Sequence, residues 1–362
     1  MIQERLKALR AEMEKRGITV YVVPTADFHE SEYVGDHFKA RKFITGFTGS
    51  AGTAVITLDE AGLWTDGRYF VQAENQLKDS TVTLYRMGEE GVPTVDEFVK
   101  DRLKEGGCLG FDGRVVNGTW GGKLEKIAAE KKVSMHVTED LIDLIWEDRP
   151  ALSKQPLFIL EEKYSGKSTA DKIGDLRKAM KENGADVHIL TSLYDIAWLL
   201  NIRGNDIDYV PVVLSYLVLN ETECIWFLQE EVVDDKIRAY LEENHITTKP
   251  YDAIYDYVPE IPADAVVLMN RGTVNYRIVN SLDKAIKVVD KPNPTELMKA
   301  VKNKTEVDNT RAAHVKDGVA FTKFMYWLKT NIGKIPMTEI SVSDYLEQLR
   351  REQEGNLGLS FD

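Results

Sequence analysis

The sequence predicts an α/β protein in which two related domains follow one another along the chain. One pattern, Leu-Arg-x-x-Met-x-x-x-Gly, occurs at residues 9–17 and again at residues 176–184, so its copies are separated by 167 residues (176 − 9). Each copy has the spacing of an amphipathic helix that ends at a glycine, and each leads into an apolar run typical of a buried strand, at 18–23 and 187–190. At 362 residues the chain is also too long for one small core. We therefore expect two domains, each a mixed sheet flanked by helices.

A second, looser repeat supports the same organisation. The segment FITGFTG at residues 43–49 has a counterpart in WLLNIRG at residues 198–204. Each segment precedes a predicted pair of strands, and the pairs are 54–58 with 63–66, and 212–219 with 223–228. Residues 59–62 are the expected reversal within the first pair.

The domain boundaries are predicted from segments that contain proline and few apolar residues. One such linker lies at 146–156, after a predicted amphipathic helix over 139–146, and another lies at 291–294. They divide the chain into domains at 1–152 and 153–303 and a third part at 304–362.

The third part is predicted to be helical. Helices are expected at 295–303, 305–332 and 341–352, and Thr305 with Asp308 resembles a capping box in which Asp replaces the usual Glu. The long helix is too apolar on one side to stand alone, and no strand accompanies it. We therefore expect an incomplete domain, with self-association or a disordered tail as the consequence of its apolar face.

Composition narrows the partners that the chain can have. The net charge of −13 argues against nucleic acid and against an anionic membrane surface, because both require a cationic footprint. The longest apolar run, 210–219, is too short to span a bilayer, and the charged amino terminus has no signal-peptide pattern. Cys108 and Cys224 are expected to be buried, reduced thiols. We expect a cytoplasmic protein.

The segment at 46–70, GFTGSAGTAVITLDEAGLWTDGRYF, concentrates the candidate chemistry. Its glycines permit a sharp turn before the predicted hairpin, and the spacing GxxGxxG raises the possibility of phosphate binding. That chemistry needs a helix start, whereas this turn leads into a strand. Arg68 follows the hairpin and offers a planar fork for a peptide carbonyl or carboxylate, but the spacing alone favours an ion pair with Asp66 or a neighbouring carboxylate. Arg203 poses the same choice in the second repeat.

Residues 27–37 gather two histidines and four carboxylates, which are ligand types for a metal. Their spacing matches no common zinc or calcium pattern, so we interpret the segment as a solvated loop. Glu32 is a candidate substrate contact if this loop folds toward a cleft.

Six ordered motifs identify the chain as resembling the three-domain cytosolic aminopeptidase P, or Xaa-Pro aminopeptidase, family. They are HESEYV, GFTGSAGTAVIT, WTDGRYF, WEDRP, DIAWLLNIRGND and KNKTEVDNTRAAHVKDGVA. The resemblance implies two tandem α/β domains of the creatinase amino-terminal type, followed by the first helices of an incomplete pita-bread metallopeptidase domain. It further implies a homodimer in full-length form and a peptide substrate with proline second, whose first residue is released.

The same resemblance implies which site residues this chain supplies. The arginine of WTDGRYF binds peptide in the family and corresponds to Arg68, and the glutamate of the HxSEY motif corresponds to Glu32. The family uses two divalent metal ions, usually manganese, but their ligands follow the point at which this sequence stops. No catalytic or metal-ligating residue is therefore assigned, no metal is expected to bind, and the chain by itself is predicted to be inactive.

Two other classes of function remain open from the sequence. One is a non-catalytic pseudo-enzyme or peptide-binding and dimerisation module made of the two α/β domains. The other is a nucleotide binder that uses the glycine-rich turn.

Overall fold

The computed structural model describes residues 1–361, and the first part of the chain folds around a six-stranded mixed sheet. The strand order is β4-β3-β2-β1-β5-β6. The strands are β1 (Val20–Pro24), β2 (Thr53–Thr57), β3 (Ala61–Thr65), β4 (Thr83–Arg86), β5 (Cys108–Phe111) and β6 (Ser134–His136). The helices are α1 (Ile2–Lys15), α2 (Ala40–Thr45), α3 (Phe70–Leu77), α4 (Val95–Arg102) and α5 (Gly118–Lys131). Apolar side chains are buried in two clusters that include residues of these strands and helices.

The second part of the chain repeats this architecture with the strand order β12-β11-β10-β8-β13-β14. Its strands are β8 (Val187–Leu190), β10 (Ser215–Asn220), β11 (Cys224–Leu228), β12 (Ile246–Pro250), β13 (Val266–Met269) and β14 (Lys287–Asp290), and a separate ribbon joins β7 (Phe158–Ile159) to β9 (Ile202–Arg203). Its helices are α6 (Glu162–Ser165), α7 (Thr169–Glu182), α8 (Leu193–Leu200), α9 (Asp235–Glu243), α10 (Ile254–Tyr257) and α11 (Tyr276–Ser281).

The two sheets agree in direction as well as in order. In each, the central strand pairs antiparallel with the first strand of a hairpin on one side and parallel with a neighbour on the other. Helices α1 and α7 are both 14 residues long and start 167 residues apart (169 − 2). The tandem α/β fold predicted from the repeated pattern is therefore confirmed, with mixed sheets flanked by helices.

Most of the predicted strands are present, although β1 starts two residues late and the second hairpin three residues late. The predicted hairpin 54–58 with 63–66 is the antiparallel pair β2 and β3. The second hairpin begins at Ser215 and not at residue 212, because the backbone before it bonds to a loop instead of a strand. Asp206 accepts the N–H of Leu214 through Oδ2 and donates its own N–H to the carbonyl of Val212.

The predicted helix over 139–146 is wrong. Residues 141–145 form only turns, and side chains bond to the backbone N–H groups at their start. The N–H of Leu141 bonds to the hydroxyl of Tyr21 at 3.0 Å, and the N–H of Ile142 bonds to Oδ1 of Asp140 at 2.9 Å.

The two domains pack through equivalent residues, in an arrangement with approximate two-fold symmetry. The N–H of Gly118 donates to the carbonyl of Val274 at 2.8 Å, and the N–H of Tyr276 donates to the carbonyl of Val116 at 2.7 Å. The two bonds are equivalent, because adding 158 to the residue numbers of the first domain gives the residues of the second (116 + 158 = 274; 118 + 158 = 276). The interface thus resembles a homodimer contact made within one chain.

The side chains of this interface are complementary and not identical. Gly121 of α5 faces Tyr276 of α11, and an added Cβ would lie 2.1 Å from Cδ2 of that tyrosine. Gly118 faces Val279, with an added Cβ 2.7 Å from its Cγ2. The first domain supplies the small residues and the second supplies the large ones, so the helices approach closely.

Three helices follow the second sheet, namely α12 (Pro294–Ala300), α13 (Lys304–Asn331) and α14 (Glu339–Arg351). The capping box of α13 is formed by Asn303 and Glu306, and the prediction of Thr305 with Asp308 is wrong by two residues. Asn303 begins the helix because its side chain accepts the N–H of Glu306 and also donates to the carbonyl of Ser165. Helices α13 and α14 bury only a small apolar cluster between them.

Much of the apolar surface of α13 and α14 stays exposed. The large apolar side chains exposed along and after these helices include Val315, Phe321, Tyr326, Ile332 and Ile340. This agrees with the predicted apolar face of the long helix.

Candidate functional site

A groove of about 340 Å³ lies between the first domain and the loop at residues 207–209 of the second. This volume is at the lower end of the range for ligand pockets, about 300–1,000 Å³. The groove is lined by both polar and aromatic side chains, including Glu32, Tyr33, Phe38, Lys39, Arg41, Lys42, Thr48, Ser50, Asp208 and Tyr209. It is therefore a candidate site at a domain junction.

Arg41 is one of the groove residues, yet it is only 4% exposed. Its Nε donates to Oγ1 of Thr25 at 2.9 Å, its Nη1 donates to the carbonyl of Phe47 at 2.6 Å, and its Nη2 donates to the carbonyl of Gly49. Within residues 1–361 no carboxylate forms an ion pair with it, and burial lowers its pKa to about 10. Arg41 therefore ties helix α2 to the glycine-rich turn and places a positive charge beside the groove that only dipoles balance.

The glycine-rich turn is shaped by close packing. At Gly49 an added Cβ would lie 2.3 Å from Cζ of Phe47 and 2.8 Å from Cδ1 of Tyr69. Gly46 ends helix α2 in the left-handed region, with φ of 78°. The turn continues into strand β2 and not into a helix, so it lacks the helix N-terminus on which the phosphate-binding hypothesis depends.

Arg68 forms a two-pronged ion pair with Asp66. Nε lies 2.8 Å from Oδ1 and Nη2 lies 2.9 Å from Oδ2, and the Arg68 guanidinium lowers the pKa of Asp66. The arginine side chain is nevertheless 67% exposed. A guanidinium has five N–H donors, and Asp66 accepts from two of them, so three remain available to a ligand. The ion-pair interpretation and the binding interpretation are therefore compatible.

Glu32 and Arg68 differ in how they are related to the groove. Glu32 lines the groove itself. Arg68 lies outside the lining, but its guanidinium is 5.0 Å from the ring centre of Tyr69, whose hydroxyl lies 2.6 Å from Oγ of Ser50. Ser50 is a groove residue, so a short chain of contacts links Arg68 to the groove.

The segment before Glu32 is not solvated as predicted, because residues 27–29 are buried. His29 is 2% exposed and lies against the second domain. Its Nδ1 donates to the carbonyl of Thr191 at 3.0 Å, and its Nε2 accepts the hydroxyl of Tyr251 at 2.6 Å. Burial lowers the pKa of His29 to about 4, which keeps the ring neutral. Oδ1 of Asp27 accepts the N–H of His29, so this part of the loop joins the two domains.

Arg203 stabilises its own backbone. Its Nη1 donates to the carbonyl of Ala197, in the second half of helix α8, and to the carbonyl of Ile202 at 3.1 Å. These contacts hold the loop after α8 against strand β9. They assign Arg203 no part in binding.

Neither a metal centre nor a membrane segment emerges from the described residues. Within residues 1–361 no three His, Cys, Asp or Glu side chains are grouped so that they could hold a metal ion. None of the helices in the same range is long and apolar enough to cross a membrane. Cys108 and Cys224 are buried free thiols, as expected.

Arg41 and Tyr209 are groove residues that the sequence did not single out. Arg41 lies between lysines in a short helix and looks like any surface cation. Tyr209 enters the groove from the second domain, in the left-handed region with φ of 65°. Because a non-glycine residue in this region is uncommon and is not marked by its neighbours, no sequence signal identifies it.

Comparison with known proteins gives two family matches. Residues 5–145 and residues 148–306 each match the Creatinase/Prolidase N-terminal domain. The chain is 38% identical over 99% of its length to a probable Xaa-Pro aminopeptidase P from Neurospora crassa and to one from Sordaria macrospora. It covers 54% and 61% of those proteins, so the chain spans little more than half the length of these relatives.

A solved structure agrees with the fold. The crystal structure of X-prolyl aminopeptidase from Caenorhabditis elegans, described as a cytosolic enzyme with a di-nuclear active site, matches all of this chain with a TM-score of 0.93 at 32% identity. The match covers 62% of that protein.

Proposed function

The chain belongs to the creatinase/prolidase N-terminal domain family, and we propose that a protein containing it is a metal-dependent aminopeptidase that releases the first residue of peptides with proline second. The observation that carries this proposal is the match to Xaa-Pro aminopeptidases over 99% of the chain at 38% identity, together with the TM-score of 0.93 over all of it. The chain spans only part of those relatives, so the proposal concerns the protein of which these residues form the amino-terminal domains.

We propose that the described residues contribute to peptide binding and not to metal binding. Arg68, fixed by Asp66, would direct its three unused donors to a peptide carbonyl or carboxylate. Glu32 would contact the same peptide from the groove wall. Two divalent metals, which we propose to be manganese, would supply an activated water. Residues 1–361 do not offer a suitable ligand set, and we assign the metals to none of them.

We also propose that this protein is a cytoplasmic homodimer. The Caenorhabditis elegans relative is described as cytosolic, which supports the location. Sedimentation of the protein encoded by the complete gene tests the oligomeric state, and a monomer at micromolar concentration would rule the dimer out.

The activity is tested with the protein from the complete gene, supplied with Mn²⁺ and the peptide Ala-Pro-Ala. We expect release of alanine from this peptide and not from Ala-Ala-Ala. Cleavage of both peptides at equal rates, or of neither, would refute the proposed activity. Binding of Ala-Pro-Ala without cleavage would favour the non-catalytic module.

The role of Arg68 is tested with Arg68→Ala in the same protein. A charge-assisted hydrogen bond contributes about 1.5–3 kcal/mol, so kcat/KM is expected to fall about 10- to 150-fold. Arg102→Ala is the matched control, because Arg102 also pairs with a carboxylate, Glu60, but its contacts with Glu60, Asp101 and Phe98 do not include the Tyr69 and Ser50 path that links Arg68 to the groove. Equal kcat/KM in Arg68→Ala and the unaltered protein would remove Arg68 from the site.

A further inference from the structure

The buried Arg41 guanidinium fixes both ends of the glycine-rich turn. It donates to the carbonyls of Phe47 and Gly49, which are two residues apart, and it lies 4.7 Å from the ring centre of Phe47. Its third acceptor is Oγ1 of Thr25, directly after strand β1. The N–H and the hydroxyl of Thr25 both donate to the carbonyl of Gly52, at 3.0 and 2.8 Å. The shape of the turn therefore depends on one side chain.

Arginine suits this role because its donors point in fixed directions. A planar guanidinium can serve two carbonyls and a hydroxyl at once, whereas a lysine ammonium is a compact charge on a flexible stem. Burying a charge is costly unless its hydrogen bonds are made, and Arg41 is only 4% exposed. A lysine at this position would therefore leave some of the three acceptors without a donor, and the turn would lose its fixed shape.

The ring of Tyr69 packs directly on the turn. A Cβ added to Gly49 would lie 2.8 Å from Cδ1 of Tyr69, so the backbone and the ring are in close contact. The rings of Tyr69 and Phe47 meet edge to face with centres 5.9 Å apart. The hydroxyl of Tyr69 lies 2.6 Å from Oγ of Ser50, within hydrogen-bond distance. The position of the Tyr69 ring therefore follows the position of the turn.

The Arg68 guanidinium in turn lies against Tyr69. Its centre is 5.0 Å from the centre of that ring, and Asp66 holds it through two hydrogen bonds. The Arg68 side chain is 67% exposed. A cation over an aromatic ring at an exposed site gains about 0.5–1 kcal/mol, which favours one orientation of a long side chain. Movement of the ring would therefore redirect the guanidinium.

We propose that Arg41 is a positioning residue for Arg68. It holds the glycine-rich turn, the turn holds Tyr69, and Tyr69 with Asp66 sets the direction in which the Arg68 guanidinium meets a peptide. The inference rests on the proposed function for the role of Arg68 in peptide binding, and it adds the residues that orient this group. The effect of Arg41 on the reaction passes through Arg68 and needs no contact with the peptide.

The test is a double-mutant cycle in the protein from the complete gene, with Mn²⁺ and Ala-Pro-Ala. Arg41→Lys keeps the charge and is expected to lower kcat/KM about tenfold, since a misplacement of about 1 Å can cost up to about 100-fold. Adding Arg41→Lys to Arg68→Ala should lower kcat/KM no further, because the group that Arg41 positions is then absent. An equal loss in both backgrounds would overturn the inference, and so would no loss in either.

A milder variant guards against a failure of Arg41→Lys to fold, which urea unfolding would detect. Tyr69→Phe removes the contact with Ser50 and keeps the ring beside Arg68. It is expected to lower kcat/KM about threefold, as the loss of a hydrogen bond worth about 0.6 kcal/mol would, and to have no effect in Arg68→Ala. The matched control is Arg10→Lys, because Nε of Arg10 also donates to a backbone carbonyl of the first domain, that of Thr57, outside the turn. This control should keep the kcat/KM of the unaltered protein.

A second readout needs no activity. In the 362-residue chain labelled with ¹⁵N-arginine, the nuclear magnetic resonance signal of the Arg68 Nε–H group is identified by its loss in Arg68→Lys. Arg41→Lys should shift this signal, and Arg10→Lys should leave it in place. An unshifted Arg68 signal in Arg41→Lys would overturn the inference. A shifted signal in a protein that does not cleave Ala-Pro-Ala would support the positioning and refute the proposed activity only, whereas an active peptidase without coupling between Arg41 and Arg68 loses the positioning only.

Discussion

Replacing Gly121 with alanine is expected to destabilise the pairing of the two α/β domains. Gly121 lies on helix α5, where alanine normally favours the helix by about 1 kcal/mol relative to glycine. Here the new methyl group would meet Tyr276 of the other domain, at 2.1 Å from Cδ2 and 2.4 Å from Cγ. The perturbation therefore sets a local gain in helix stability against a clash at the interface.

The geometry decides which effect is larger. Ordinary van der Waals contact begins at 3.4 Å, so the two groups must separate by about 1.3 Å (3.4 − 2.1). Tyr276 is 4% exposed and its ring packs 5.7 Å from that of Phe111, which leaves it no space to turn away. Overpacking costs about 1–3 kcal/mol, and a displacement of this size lies at the upper end. After the helix gain is subtracted, the expected net loss is about 2 kcal/mol.

The assay is urea unfolding of Gly121→Ala beside its neighbour, Gly122→Ala. Nothing lies within 4 Å of a Cβ at Gly122, so this control is expected to gain up to about 1 kcal/mol. Faster hydrogen exchange of the Tyr276 amide, which bonds across the interface, should accompany the loss in Gly121→Ala. Equal unfolding free energies for the two variants would refute the reasoning, because propensity alone would then explain both.

Two further predictions concern pH and helix capping. Burial lowers the pKa of His29 from 6.5 to about 4, so the unfolded chain binds a proton that the folded protein excludes, and stability is lost as pH falls below 6.5. Between pH 7 and pH 5 the unfolding free energy is expected to fall by about 2 kcal/mol, and this fall should be absent in His29→Gln. Denaturant titrations of both proteins at both pH values check this. The same fall in His29→Gln would contradict the prediction. Asn303→Ala should lower the unfolding free energy by about 1 kcal/mol, whereas Thr305→Ala should change it by less than about 0.5 kcal/mol, because Asn303 and not Thr305 accepts the N–H at the start of α13. Thermal melting compares the two variants, and a larger loss of stability in Thr305→Ala than in Asn303→Ala would support the cap predicted from the sequence.

Much of the fold could be predicted because it follows from local patterns. The apolar spacing of residues 9–17 and 176–184 identifies two equivalent helices, which the structure shows as α1 and α7. The predicted helix over 139–146 was wrong, since residues 141–145 form turns, and the N–H of Leu141 bonds to Tyr21 from a distant strand. The cap of α13 was misplaced although Asn303 and Glu306 have the local spacing of a capping box, and Asn303 is held in addition by the carbonyl of Ser165.

Some residues of the candidate site could likewise be predicted from the sequence, and others could not. Arg68 and Glu32 could be proposed from motifs, and their binding roles stay predictions. The burial of His29 could not be foreseen, because a histidine among carboxylates looks solvated until a second domain covers it. Arg41 likewise resembles a surface cation until the turn at Phe47 and Gly49 closes over it.

The class of fold, its duplication and the family could all be predicted from the chain, because periodicity, glycine positions and motif order are properties of neighbouring residues. How the repeats pair and which residues line the groove follow from the tertiary structure alone. Two copies of one fold meet through equivalent backbone atoms. Their helices approach closely because Gly121 of one domain faces Tyr276 of the other. That packing brings Tyr209 to Tyr33, which are far apart along the chain, and so forms the groove. Contacts between distant residues depend on how domains pack, and no local pattern encodes them.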